Sequence, residues 1–467
     1  MTLDITRRRF VEGSAAVGGG LAIAGPLSAL AAQTAEGRGR PSVPGYGQIK
    51  PTKEIDSGIE YLALPPGFKY RLISRAGDRM SDGNPTPGIF DGMAAYKGRG
   101  GDVILIRNHE NRSRDGEVTV AVPNGKRYDP DPNVRGGNTK LVVGRDRRVK
   151  EQYAVLGGTH TNCAGGVTPW GTWITCEEIF NYGSTEGNDT PGTGVPHGYS
   201  FEVPADATKP VTPQPIVDAG RFAHEAVAWL DGVLYETEDH GSAAFYRFIP
   251  ERRPREYGDL ASFGGTLQAL VIRGRPNFAA DDAKPGESFA VEWVTIEEPN
   301  PLTDTVRIEA QSKGAAIFNR TEGIWSADRR VYFDCTEGGA AELGQVWEFT
   351  PRGRDGGELR LVYESTSADD LQNPDNLVVV PHTGDIWLQE DGGGEQFVRG
   401  VTQRGEIYDF AETLFTNWEF CGGCFSPDGD TFFLNQQGDR LVEGETPETQ
   451  ADVNRGLTFA IWGPFDR

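Results

Sequence analysis

Histidine is scarce in this chain, with six in 467 residues, and methionine is scarcer, with three. So few imidazoles do not favour a histidine-rich di-metal hydrolase core. Basic charge is short too. The 46 Lys and Arg face 68 Asp and Glu, a formal net charge of −22, so the cationic footprint of a nucleic-acid binder is missing. There is no Gly-x-Ser-x-Gly elbow, no complete phosphate-binding P-loop, no His-Glu-x-x-His helix and no EF-hand loop. After the first 33 residues no apolar run approaches a membrane span. Long amphipathic helical patterns are also few. The five cysteines, Cys163, Cys176, Cys335, Cys421 and Cys424, are an odd number. At least one is therefore unpaired in an exported chain, and Cys421-Gly-Gly-Cys424 offers a tight disulfide only on weak, two-cysteine evidence.

What is present begins with an export signal. Thr6-Arg7-Arg8-Arg9-Phe10-Val11 is a twin-arginine pattern, followed by a Gly/Ala-rich run from Ser14 to Leu30 and an Ala29-Leu30-Ala31 cleavage site. Residues 1–32 are expected to be a signal peptide. The implied partner is the twin-arginine (Tat) export machinery, and the implied location is periplasmic or extracellular. Residues 33–53 read as an extended linker or arm. The rest, 54–467, reads as one large β domain, because Gly (62) and Pro (30) are plentiful and short alternating segments recur between turns. The clearest are Lys69–Ser74, Asp102–Arg107, Lys140–Val143, Thr172–Thr175 and Ser200–Val203.

A loose internal repeat links these segments. Trp173, Tyr235 and Trp387 are each followed four residues later by an acid: Glu177, Asp239 and Asp391. Tyr332 reaches Glu337 one residue later, and the copy ending Phe432-Phe433 carries Asn435 and Gln436 instead. Second strands are expected at Phe245–Ile249, Gln345–Phe349 and Glu406–Asp409. Positions i and i+4 of a strand share a face, so each copy would deliver an acid to the same end of successive sheets. Repeated hairpins with insertions predict an all-β propeller, with a β-sandwich as the structural rival.

The chemistry concentrates in Gly157–Phe180, where Cys163, His160, Glu177 and Glu178 lie close in sequence. A thiolate beside carboxylates mixes soft and hard donors, which suits a transition-metal centre better than simple zinc. Asn108-His109-Glu110 closes a strand and offers polar groups to a substrate or ion. Glu225 enters an apolar strand, which is costly for an unpaired carboxylate. Arg320 and Glu322 flank one residue, so Arg320 is placed to clamp an oxyanion while Glu322 holds a cation. Asp375-Asn376 forms either a turn or a calcium site, and Asp391 ends another acidic strand. Each also has a plain reading as a turn, a solvated acid or a surface ion pair.

Taken together, these residues resemble the PhoX family of bacterial alkaline phosphatases. The most specific blocks are Thr161–Trp173 with Thr175-Cys176-Glu177-Glu178, and Cys424-Phe425-Ser426-Pro427-Asp428-Gly429, and the likeness extends to the C-terminal Leu457–Pro464. The resemblance implies a six-bladed propeller with two ferric ions and two or three calcium ions around a bridging oxide. It implies that Cys163 ligates iron and that Glu178, Glu225 and Glu322 bridge iron or calcium. It implies that Arg320 binds phosphate and that Glu110, Asp239, Asp375 and Asp391 serve calcium or the outer shell; Asn108 and His109, read from the strand end they occupy, are expected to hydrogen-bond the phosphate or protonate the leaving alkoxide. The expected substrates are small phosphate esters and the expected state is a monomer. Thr321, where proline is commoner, and Trp173, where tyrosine is commoner, depart from the family. Two other readings of a calcium propeller remain open here, a lactonase and a non-catalytic envelope scaffold.

Overall fold

In the computed structural model, which describes residues 44–114, 116–180, 195–442, 444 and 452–466, the alternating segments fold as antiparallel strands. In chain order the first three are β1 (Lys50–Thr52), β2 (Leu62–Leu64) and β3 (Lys69–Arg75). A meander follows: β4 (Phe90–Lys97), β5 (Val103–His109), β6 (Gly136–Val143) and β7 (Val149–Thr159). Next come β8 (Asn162–Val167), β9 (Thr172–Glu177) and β10 (Ser200–Pro204). The run β11 (His224–Leu230), β12 (Val233–Glu238), β13 (Tyr246–Pro250), β14 (Gly265–Ile272) and β15 (Ser288–Thr295) is followed by β16 (Thr321–Ala327), β17 (Arg330–Cys335), β18 (Gln345–Pro351) and β19 (Gly357–Glu364). The chain finishes with β20 (Pro374–Val379), β21 (Ile386–Glu390), β22 (Phe397–Val401) and β23 (Ile407–Thr413), then β24 (Phe420–Phe425), β25 (Phe432–Gln436) and β26 (Leu457–Trp462). Helices among the described residues are short, Asp259–Phe263 and Val306–Ser312, apart from single 3-10 turns.

Turn chemistry sets the hairpins. Leu230 pairs with Val233 across Asp231-Gly232, and both loop residues have positive φ, 50° and 96°. A two-residue loop of that kind matches the right-handed twist of its strands, which is why Asp-Gly is favoured there. The loop Asp328-Arg329 uses the same conformation without glycine, at φ 48° and 63°.

The strands form five hydrogen-bonded sheets. One is the β4–β7 meander, one is β8–β10, and one joins β11–β15 to β16–β19 through β15 and β19. A fourth adds β2 and then β1 to the outer edge of β20–β23, and the fifth pairs β3 with β26 beside β24 and β25. The pairing of β3 with β26, which sets Leu457 opposite Arg75, binds the start of the domain to its end. The first strands of the successive meanders pack against one another in a closed circuit, β4 on β8, β11, β16, β20, β24 and back to β4. The arrangement is all-β and propeller-like.

Aromatic side chains fill the wedges between sheets. Trp387 of β21 meets Phe432 of β25, on another sheet, with ring centroids 5.0 Å apart, and stacks on Phe410 of its own sheet at 3.8 Å. Burying each such ring contributes roughly 1.5–3 kcal/mol. The expected arm, 33–53, is described only from residue 44. That end belongs to the compact unit: β1 pairs with β2, and Tyr46 packs against Phe68 and Trp387. The expected signal peptide, 1–32, lies outside the described residues, among which no helix is long and apolar enough to cross a membrane.

Candidate metal centre

Each strand of the inner circuit slips register near its start. The slips fall between Phe90 and Met93, Asn162 and Gly165, His224 and Val227, Thr321 and Ile324, Pro374 and Asn376, and Cys421 and Cys424. A β-bulge re-aims the side chain it carries. Here the bulged residues are Asp91, Cys163, Glu225, Glu322, Asp375 and the glycine pair Gly422-Gly423. Four of the six are followed by glycine or alanine: Gly92, Ala164, Ala226 and Gly323. The small residues let neighbouring strands touch. A Cβ on Gly92 would stand 2.5 Å from Ala164 Cα, and one on Gly323 would stand 2.6 Å from Leu377 N. Close approach of the strands at this level brings the bulged donors together.

Two groups of ligand atoms result. Cys163, Glu178 and Glu225 each place one donor atom within 4.8 Å of the others, and so do Glu225, Glu322 and Asp375. Glu225 belongs to both, so the groups form one continuous site. Cys163 Sγ also faces the carbonyl oxygens of His224 and Glu225 at 3.2 and 3.3 Å. Glu178 leaves the end of β9 with its N–H donating to Thr161 O at 3.0 Å.

The electrostatics show what this packing demands. Burial, then Glu225 and Glu178, push the Cys163 thiol well up. Burial, then Asp375, Glu178 and Asp91, push Glu225 well above the carboxylate range. Glu178 is raised by burial, Glu110 and Asp239, and Glu322 by burial, Asp239 and Glu225. Asp375 is pushed up to about 8 by burial and by Asp391 and Glu110. Buried acids this close repel unless cations neutralise them. A thiolate with several carboxylates and no imidazole is a donor set that fits iron with a hard, oxygen-preferring cation beside it.

Arg320 closes one side of the site. Its Nε donates to Asp239 Oδ1 at 2.7 Å, and Nη2 to Asp239 Oδ2 at 3.1 Å and Glu322 Oε1 at 2.8 Å. Nη1 reaches Glu337 Oε1 at 3.3 Å. The residue holds φ 54°, a conformation costly for a non-glycine residue. Burial opposes ionisation of Asp239, but the Arg320 hydrogen bonds and charge outweigh it and hold its carboxyl low. Asp391 sits exposed at the rim.

On the opposite side, Glu110 Oε1 accepts from Arg112 Nε at 2.8 Å and Oε2 from Gln437 Nε2 at 2.9 Å.

Asn108 and His109, expected at the substrate, are bonded inside the fold. Asn108 Nδ2 donates to Cys163 O and Ala164 O at 2.6 and 2.8 Å, and its Oδ1 accepts from Trp173 Nε1 at 2.8 Å. His109 bonds Gly88 O at 3.0 Å and Thr139 Oγ1 at 2.8 Å. Both are fully buried, so strand-to-strand bonding consumes the groups expected to face phosphate. Trp173 thus supports the Asn108 amide. Thr321 Oγ1 exchanges bonds with the Glu238 backbone at 2.9 and 3.0 Å, stitching β16 to β12.

Glu177 also serves structure: its carboxylate accepts from His160 N–H at 2.9 Å and Gly198 N–H at 2.9 Å and meets His197 Nδ1 at 2.7 Å. All five cysteines are free and buried, so Cys421 and Cys424 form no disulfide.

Sequence reasoning missed three groups. Asp91 occupies the bulge equivalent to those of Cys163, Glu225 and Glu322, and its Oδ1 is buried without a hydrogen-bond partner. The signal was available, since Asp91-Gly92 repeats the acid-then-small pattern of Glu322-Gly323. Glu419, 8% exposed, hydrogen-bonds Asp391, and burial with its acidic neighbours raises it. Nothing in the one-dimensional pattern marks Arg112.

The model of the alkaline phosphatase PhoX family matches residues 45–439. Among solved structures, Pseudomonas fluorescens PhoX in complex with vanadate, a transition state analogue, aligns with TM-score 0.65 and 17% identity. It covers 89% of this chain and 97% of that one. The WD40 repeats of RRP9 align with TM-score 0.41 and 8% identity over 89% of this chain and all of that one. No curated protein matches the chain.

Proposed function

Because the chain belongs to the PhoX family of alkaline phosphatases, hydrolases of phosphate monoesters, we propose that the cluster around Glu225 is its catalytic centre. The observation that carries this reading is the sharing of Glu225 between the thiol-containing and the all-carboxylate group. Cys163, Glu178 and Glu225 would hold iron, and Glu225, Glu322 and Asp375 would hold calcium. Two ferric ions and two or three calcium ions fit the number of acids, with Glu110, Asp239 and Asp391 completing the outer positions. Such cations, when bound, supply Lewis-acid polarisation of the phosphoryl group and an activated nucleophile.

The chain's own residues orient and screen the ester. Arg320, fixed by Asp239 and Glu322, sets positive charge at the mouth, where charge gathers on the equatorial oxygens during phosphoryl transfer. Its one uncommitted N–H, on Nη1, is the group left to donate to such an oxygen. The tight strand contacts at Gly92 and Gly323 close the floor, so substrate enters from the end of the site that Arg320 and Glu110 flank. No histidine in the two donor groups is placed to serve as general acid, and Asn108 and His109 are occupied elsewhere.

The circuit of inner strands supports a propeller of six blades, with β11–β14 and β16–β19 as separate blades bridged by β15. The twin-arginine pattern at Arg7-Arg8 supports export to the periplasm or beyond, and the enzyme is proposed to act there as a monomer. The family favours the phosphatase over the lactonase and scaffold readings. Assay of p-nitrophenyl phosphate hydrolysis, with vanadate as inhibitor, tests the proposal. Metal-dependent, vanadate-sensitive turnover is expected, and a protein with bound metal but no esterase activity contradicts it.

A further inference from the structure

Arg320 is the expected phosphate clamp, yet three of its N–H directions are spent on Asp239 and Glu322 and a fourth leans on Glu337. A second guanidinium is less committed. Arg112 follows β5, whereas Arg320 precedes β16 of another sheet. Arg112 bonds Glu110 through Nε and Nη2, both to the single oxygen Oε1. Its Nη1 donates to no protein group among the described residues. The side chain is 42% exposed while that of Glu110 is 3% exposed, so the guanidinium is anchored from below and open above.

The open side faces a cleft of about 420 Å³ lined by Glu110, Arg112, Asp391, Trp418, Glu419 and Arg440, among others. That volume lies within the range of small-molecule sites. Glu178 and Glu419 are within electrostatic reach of Arg112. Arg112 and Arg320 both act on Asp391, so the two guanidiniums border one patch of acids. In a chain with net charge −22, an arginine held over the acids that would be neutralised by cations suits an anionic ligand.

We infer that Arg112 is a second substrate-binding arginine, whose free Nη1 edge donates to a phosphate oxygen of the ester lodged in this cleft. The inference rests on the phosphatase reading and extends it. A guanidinium's planar fork suits phosphate oxygens, and its charge does not titrate away at alkaline pH. Anchoring by Glu110 orients the fork before substrate arrives, so little freedom is lost on binding.

The test uses the metal-loaded enzyme and inorganic phosphate as the probe. Calorimetric titration and ester kinetics are run on wild type, Arg112→Ala and Arg112→Lys, with metal content measured for each. Arg112→Ala is expected to weaken phosphate binding roughly ten- to hundredfold, the range for a charged hydrogen bond. KM should rise in step, kcat should fall less, and metal content should stay at the wild-type level. Arg112→Lys should recover part of the affinity.

Unchanged phosphate affinity in Arg112→Ala overturns the inference while leaving the phosphatase reading intact. A fall in metal content that matches the fall in affinity also overturns it, because Arg112 would then act only by holding Glu110. A wild-type holoenzyme that neither binds phosphate nor hydrolyses an ester overturns the phosphatase reading, and this inference with it.

Discussion

Cys163 Sγ lies 3.3 Å from the carbonyl oxygen of Glu225, and the two residues hold equivalent bulges on neighbouring inner strands. The thiol is therefore built into the same geometric series as the acids. Burial and those acids raise its pKa, so a cation is needed to keep it ionised. Replacing Cys163 by Ser or Ala is expected to strip iron, abolish any sulfur-to-iron charge-transfer absorption and end hydrolysis. Spectra, iron content and turnover check this, and wild-type turnover in the variant contradicts it.

Arg320 couples the site to its rim through Asp239. Arg320→Lys keeps a positive charge but loses the paired bonds to Asp239 Oδ1 and Oδ2. A loss of about ten- to hundredfold in kcat/KM is expected, given roughly 1.5–3 kcal/mol for a hydrogen bond to a charged group. Asp239→Asn should reproduce part of it by releasing the guanidinium. Steady-state kinetics on both variants decide.

His197 supplies a pH dependence away from the ligand atoms. It is buried between Glu177, 2.7 Å from Nδ1, and Asp129, 3.3 Å from Nε2. Burial alone would lower its pKa, but the two carboxylates outweigh it and raise it from 6.5 to about 9. The folded state thus holds this proton more tightly than the unfolded chain. Its stabilisation is complete below pH 6.5 and is lost as pH rises through about 9. A shift of this size corresponds to roughly 3 kcal/mol. Melting temperature should fall across that window in wild type, and His197→Asn should be less stable below it with a flatter profile. A wild-type profile with no decline there refutes the assignment.

The glycines of the inner circuit carry the close packing. A Cβ on Gly166 would lie 1.9 Å from Val227 O, whereas one on Gly171 meets nothing within 4 Å. Gly166→Ala is expected to cost about 1–3 kcal/mol or more by overpacking. Gly171→Ala, at φ 83°, should cost about 1–2 kcal/mol through its left-handed backbone alone. Denaturant unfolding compares the two, and only Gly166→Ala should also reduce metal content, because it shifts the strand that carries Cys163.

Much of this architecture was legible in one dimension. Alternation with turn residues located β13, β18 and β23 to within a residue or two at their starts, because a half-buried strand has to alternate. Cys163, Glu178, Glu225, Glu322 and Asp375 converge as the motifs suggested. The misreadings have physical causes. Asn108 and His109 neighbour Glu110 in sequence, but which polar groups neighbouring strands consume is a tertiary property.

The aromatic-plus-four spacing pointed to Glu177, while the next residue, Glu178, reaches the cluster, because the chain leaves β9 at that point. Asp91 escaped notice because its strand, β4, lies one hairpin before the residues that showed the repeat. Arg112 sits in an irregular segment where no periodicity applies.

On the reading proposed above, a thiol and buried acids from successive inner strands hold a mixed iron and calcium cluster that hydrolyses phosphate monoesters. Elemental analysis of the protein purified without chelator, paired with its turnover, tests this most directly. About two iron and at least two calcium per chain are expected on these sulfur and oxygen donors, with activity lost when they are removed. Full activity in protein free of both metals would contradict it.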